Sequence, residues 1–291
     1  MLGYLGLLTL AAVAGFTIFI GLPIALLGTL SRSAKGFLSA FATGILVFLI
    51  VDVFSSAWAA ASSVAVVWYR TGGSSALALT DVLMLFAGLA LGLLGLVYYE
   101  SRFVARPAGV DAGLERVISA GQEVPALGGA SADTRSAGDA GAYRLAIMTA
   151  IGIGAHNLGE GLAIGQSYAS GAIGLALVLI AGFGVHNTTE GFGIAAPLAG
   201  LLSKPRLRFL FKAGLIGGGP TFVGTIVGSF WISTPVYILF LSIAGGSLIY
   251  TSLLIYSGAR RHVSNAVLMT GVFLGVCAGF LTDLLVTLGG A

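Results

Sequence analysis

The hexapeptide His156-Asn157-Leu158-Gly159-Glu160-Gly161 returns thirty positions later as His186-Asn187-Thr188-Thr189-Glu190-Gly191, each copy inside an apolar stretch with no other charge nearby. On a helix, residues i and i+4 lie one above the other, so each histidine stacks over its own glutamate. Two imidazoles and two carboxylates in an apolar interior are costly to keep, and such groups mark functional sites by default. A divalent cation would compensate them. Imidazole nitrogen with carboxylate oxygen suits borderline metals such as zinc, iron(II), manganese or cobalt, whereas calcium and magnesium favour all-oxygen sites. Asn157 and Asn187 can add carbonyl oxygens or hydrogen-bond the carboxylates from behind. A non-thiolate site also holds its ion less permanently than a structural thiolate cage, which suits an ion that must leave again. The same groups could instead relay protons.

These residues must be positioned by helices in a membrane. Of 291 residues, 57% are hydrophobic and 9% charged, far from the balance of a soluble domain. Uncharged stretches of about twenty residues, enough to cross a hydrocarbon core as helix, recur along the chain. The expected fold class is therefore an all-α integral membrane protein forming one transmembrane domain over 1–291. Eight spans are expected at about 3–30, 37–60, 78–99, 143–168, 171–199, 207–230, 234–256 and 265–288. The first lacks a basic leader and a small-residue cleavage signal, so it is expected to be a retained span.

Of the 14 Lys and Arg residues, Arg32, Lys35, Arg102, Arg106, Arg116, Arg135, Arg144, Lys204, Arg206, Arg208, Lys212, Arg260 and Arg261 fall on odd-numbered connections. Arg70 alone falls on an even one. By the positive-inside rule the odd connections are cytoplasmic and both termini lie outside the cytoplasm. The expected localisation is a cell membrane, with the lipid bilayer as partner and no nucleic acid. The long connection 101–142, rich in Gly, Ala, Ser and Asp, is expected to be a flexible cytoplasmic linker. Many of the 45 glycines lie within spans, where small residues let helix backbones approach; they permit a homodimer without requiring one.

A hairpin of the fourth and fifth spans turning within Ser167 to Gly174 would set Glu160 level with His186 and His156 level with Glu190. At about 1.5 Å per residue, the four side chains then lie roughly 20 to 26 Å from the turn, inside the bilayer. Asp52, in the apolar run Phe48 to Phe54, is a further candidate ligand or entry-path residue. Asp81 is expected to cap the start of the third span. Asp283 is expected near the outer end of the last span, where it could attract cations, and His262 in a basic turn. Cys277, the single cysteine, is expected to pack as a small apolar residue. Pro23, Pro197 and Pro220 interrupt spans, and Gly217-Gly218-Gly219-Pro220 is expected to be a weak or broken helix segment.

The paired motif, the eight-span plan with both ends outside and the long third connection together resemble the ZIP (Zrt/Irt-like) family of divalent metal transporters. The likeness is strongest over Ile151 to Leu198, including Glu160-Gly161-Leu162-Ala163-Ile164-Gly165 and Glu190-Gly191 followed by Ala196-Pro197-Leu198. The resemblance implies a 3+2+3 arrangement and a binuclear-type metal centre between the fourth and fifth spans, carried by His156, Asn157, Glu160, His186, Asn187 and Glu190. It implies a substrate of zinc, or of iron(II), manganese or cadmium, moving toward the cytoplasm, with no catalytic cofactor. It also implies an elevator motion, in which spans one, four, five and six slide against two, three, seven and eight. The chain departs from the pattern at Gly159 and Thr189, where many members have proline, and at Gly219, where a glutamate is common before the proline. It also lacks a His-rich loop. Two readings from other classes are an intramembrane metallopeptidase and a membrane metal receptor or proton-coupled carrier. The peptidase pattern places a general-base glutamate directly after the first histidine, where this chain has Asn157 and Asn187, which cannot act as bases.

Overall fold

A computed structural model describes residues 3–27, 30–104, 132–199, 201, 204–230, 233–260 and 263–290. Among the described residues the regular elements are all helical. We number them α1 (Tyr4–Phe16), α2 (Ile18–Gly21), α3 (Arg32–Thr71), α4 (Ser75–Tyr99), α5 (Ala132–Ala169), α6 (Ile173–Ala195), α7 (Leu207–Phe230), α8 (Thr234–Arg260) and α9 (Asn265–Gly290). Short 3-10 turns extend α2 through Leu22–Leu26 and α6 through Ala196–Leu198, each with its proline in the first positions, where no backbone donor is lost.

Among the described residues, seven helical stretches are long and apolar enough to cross a bilayer, and α5, whose middle carries His156, Asn157 and Glu160, lies outside that set. Large apolar side chains such as Leu5, Trp58, Phe86, Phe211 and Phe273 stand on the exterior, as lipid-facing surfaces require. The chain is an α-helical membrane protein.

The packing follows two groups. One core joins Ile18 and Leu22 to Ala146, Ala150 and Ile153 of α5, Ile194 of α6, and Leu210 and Ala213 of α7. A smaller cluster ties Leu7 and Ala14 of α1 to Ile164 and Ile180. The second group packs Leu46, Phe48 and Leu49 of α3 and Leu85 of α4 against Leu241, Leu248 and Ile255 of α8, with α9 joined through Leu268. The groups meet where α5 packs on α8 and where α6 packs on α3 and α9. Arg144 of α5 donates to Glu100 at 2.9 Å, and Tyr250 of α8 donates to the other Glu100 oxygen at 2.7 Å.

The helix boundaries have local causes. Ser31 and Ser74 cap α3 and α4 by accepting from the backbone of Ala34 and Leu77, supplying partners to donors that a helix start leaves open. Gly171, at φ 81°, ends α5: the Gly171 amide donates to Tyr168 O and the Ala172 amide to Ser167 O. Those paired bonds need a left-handed residue, which glycine adopts without penalty. The turn falls within the expected stretch and makes α5 and α6 an antiparallel pair.

Several expectations are corrected. The helix carrying the first motif begins at Ala132, within the stretch expected to be linker, and residues 105–131 of that stretch lie outside the described residues, as does His262. The segment Gly217 to Pro220 is not broken: α7 runs through it with Pro220 inside. The glycines there admit neighbours; a side chain on Gly218 would strike the backbone of Gly15 in α1. The interruption falls instead in the first span, at Thr17, between α1 and α2. Asp81 caps nothing, since Ser74 holds that role; it sits a turn and a half into α4, buried, with Oδ1 unpartnered.

The glycines after the two glutamates are contact points between helices. A Cβ on Gly161 would run into the Thr221 carbonyl of α7, and one on Gly191 into the Ile18 carbonyl of α2, with Gly21 Cα at 3.0 Å. Gly191→Val should therefore destabilise the protein by about 1–3 kcal/mol through overpacking, seen as a lower melting midpoint in heated size-exclusion chromatography. An unchanged midpoint would mean that α2 and α6 do not meet at these glycines.

Candidate metal centre

The antiparallel α5–α6 pair brings the two motifs to one level. His156 Nε2 lies 3.2 Å from Glu160 Oε1 on its own helix and 3.8 Å from Glu190 Oε1 on the facing one. His156 is thus level with Glu190, as the hairpin spacing predicts. Asn157 Nδ2 donates to Asn187 Oδ1 at 2.6 Å and to Glu190 Oε2 at 3.2 Å, so the asparagines join the helices directly. All six motif residues are buried, none more than 6% exposed.

What sets the site apart is the polar atoms left over. Both nitrogens of His156 and of His186, both oxygens of Glu160, Glu190 Oε1 and Asn157 Oδ1 are buried with no hydrogen-bond partner in the protein. Leaving one such atom unsatisfied costs on the order of 1–3 kcal/mol, and here several gather in one place. Packing alone does not account for that expense. The donor set of two imidazoles, two carboxylates and an amide oxygen matches what a borderline divalent cation accepts. Among the described residues, no three His, Cys, Asp or Glu side chains are already gathered into a ligand cluster. The donors form a chain from Glu160 through His156 to Glu190, and His186 lines the same cavity as His156 and Glu160.

That cavity, about 360 Å³, is bounded by His156, Glu160 and His186 at its inner end. Asp52, Ser56, Tyr237, Asp283 and Thr287 line its walls, and Ser167 and Leu175 flank the α5–α6 turn at its outer end. A smaller adjoining space past Ser167, with Tyr237 on its wall, extends to Ser170 at that turn. The cavity is closed from the opposite end of the bundle by the cores already described. Half-buried Asp52 therefore reaches the same cavity as the motifs from the second group of helices, and Asp283 joins it.

Aromatic rings hold one wall. Phe48 of α3 meets His186 edge-on at 6.3 Å between centroids and Phe280 of α9 at 4.8 Å, while Phe183 lies 6.5 Å from the same imidazole. Rings on His186 from both helix groups limit where its nitrogens point. Three contributors escaped sequence reasoning. Phe48 and Tyr237 are aromatic residues in apolar spans, with no periodicity to single them out. The Ala14 carbonyl, which accepts from Asn187 Nδ2 at 3.0 Å and from Thr17 Oγ1 at 2.7 Å, belongs to the backbone and leaves no mark on residue type.

Access can be measured by thiol labelling in a background where exposed Cys277 is replaced by alanine. Ser56→Cys and Ser167→Cys should react readily with a charged, water-soluble methanethiosulfonate reagent, while Ala150→Cys, in the core behind the site, should not. Equal labelling at all three positions would show that the cavity does not connect with water in this way.

Compared with known proteins, the sequence matches no family model and no curated protein, so its function must be read from the chemistry of this centre.

Proposed function

We propose that the protein is a carrier of divalent transition-metal ions, zinc first among them with iron(II), manganese and cadmium as related substrates, and that it belongs with the ZIP-like transporters. The observation that carries this reading is the set of buried, unpartnered nitrogen and oxygen atoms of His156, Glu160 and His186 on one cavity, with Glu190 Oε1, also unpartnered, 3.8 Å from His156 Nε2. The ion is the cargo, and no reaction is catalysed.

In this reading α1 with α2, and then α3 to α9, make eight crossings with both termini outside the cytoplasm. The one-sided distribution of Lys and Arg supports that orientation. The cavity then faces outward, since it runs toward the α5–α6 turn on the side opposite the basic connections. Asp52 and Asp283 attract the cation at low dielectric, and it exchanges water for imidazole and carboxylate deeper in.

The division into two helix groups supports alternating access by sliding. Both motifs lie in the group of α1, α2, α5, α6 and α7, so that group can carry the ion as one body past α3, α4, α8 and α9. Glu100, fixed by Tyr250 in the second group, holds Arg144 of the first. That pair closes the cytoplasmic side while the cavity is open outward, and it must part when α5 slides.

Uptake into proteoliposomes loaded with a metal-sensitive dye tests the reading. The intact chain should give a saturable signal with external zinc, and Glu160→Ala and His186→Ala should reduce it by about tenfold or more while the protein still elutes as a folded species. Asp52→Asn should raise the half-saturating zinc concentration several-fold, about 1 kcal/mol or more in lost attraction. Equal uptake by the Glu160 and His186 variants would remove the site from transport.

A further inference from the structure

The two motifs are alike in sequence, but their asparagines are used differently. Asn187 has both ends of its amide engaged within the protein. Its Nδ2 donates to Ala14 O of α1 at 3.0 Å, and its Oδ1 accepts from Asn157 Nδ2 of α5 at 2.6 Å. Asn157 Nδ2 also donates to Gly217 O of α7 at 2.9 Å and to Glu190 Oε2 at 3.2 Å, whereas Asn157 Oδ1 is buried without a partner.

The direction of this chain is dictated by groups that can only accept. Turning the Asn187 amide over would set its oxygen against the Ala14 carbonyl and its NH2 against that of Asn157. Turning Asn157 would oppose its oxygen to the Gly217 carbonyl and the Glu190 carboxylate. Asn157 therefore donates both to Asn187 and to Gly217, and Asn187 donates to Ala14, which links one position from each of α1, α6, α5 and α7. None comes from α3, α4, α8 or α9.

Resting on the reading of this centre as a metal site, we propose that Asn187 is a positioning residue and not a ligand: it ties α1, α6 and α5 into one body, fixes Asn157, and leaves a centre for a single cation. An ion on the Asn187 side would need Asn187 Oδ1, and taking it breaks the shortest bond in the chain. It would also face the Asn157 NH2, whose hydrogens repel a cation. On the other side stand the free atoms of His156, Glu160, His186 and Glu190, with Asn157 Oδ1 as the one amide oxygen not already engaged.

Asparagine and aspartate have nearly the same shape, but aspartate cannot donate to Ala14 O, and it is the stronger metal ligand. Asn187→Asp thus separates the two roles in the full-length chain in lipid nanodiscs. Without metal, the variant should melt at least about 4 °C below the intact protein. In cobalt(II) titration the intact chain should bind one ion, and the variant should bind about tenfold more weakly. An unchanged metal-free midpoint together with tighter cobalt binding, or two cobalt ions per intact chain, would overturn the proposal. If Asn187→Asp does not fold, Asn187→Ser removes the amide without adding charge. A lowered midpoint with binding retained within about tenfold supports the tie, and lost binding at an unchanged midpoint overturns it. If the intact chain binds no cobalt but the variant's metal-free midpoint still falls, the tie stands and the carrier reading fails.

Discussion

Burial of nitrogen and oxygen donors that the protein does not itself satisfy is the constraint on which this structure turns. His156, Glu160, His186 and Glu190 are buried among the helices; the first three line one cavity, and Glu190 Oε1 lies 3.8 Å from His156 Nε2. In a medium of low dielectric such groups are tolerated when a counter-charge meets them. A mobile cation would meet that need, and it would also be the kind of partner that can be given up again, because nitrogen and oxygen donors hold an ion less permanently than thiolate.

The rest of the fold serves to hold these donors against one another. Gly171 turns the chain so that α5 and α6 run antiparallel, and Gly161 and Gly191 bring α7 and α2 up to the motif-bearing helices at backbone distance. The asparagine chain then links α1, α5, α6 and α7 at the level of the site. Against it stands a second group with its own core, which contributes Asp52 and Tyr237 to the cavity and packs Phe48 against His186. A binding centre built almost wholly within one of two packed bodies is suited to being moved as a unit, whereas ligands divided equally between the bodies would resist motion when filled.

Much of this was legible in the sequence, for physical reasons. Helix in lipid demands long apolar runs, so the boundaries of α7, α8 and α9 follow from hydropathy and punctuation. The i, i+4 spacing fixed the face shared by His156 and Glu160, and the midpoint between motifs located the turn. Other features resisted. The glycines beside Pro220 read as helix breakers, yet in a membrane a tightly packed neighbour compensates a weak segment, and Gly218 is where α1 packs. Asp81 read as a cap because it stands near the start of an apolar run, but Ser74 lies farther upstream and the helix begins there. The motif asparagines looked equivalent because residue type does not reveal which end of an amide is engaged; that depends on backbone carbonyls, such as those of Ala14 and Gly217, contributed by helices remote in sequence.

The claim that both motifs grip one ion is tested most directly by X-ray absorption at the zinc edge on the zinc-loaded protein. A first shell of nitrogen and oxygen at about 2.0–2.2 Å without sulfur is expected, with outer-shell scattering from two imidazoles that falls to one in His186→Ala. A shell with imidazole scattering unchanged by that substitution, or with no imidazole at all, would contradict a shared centre between α5 and α6.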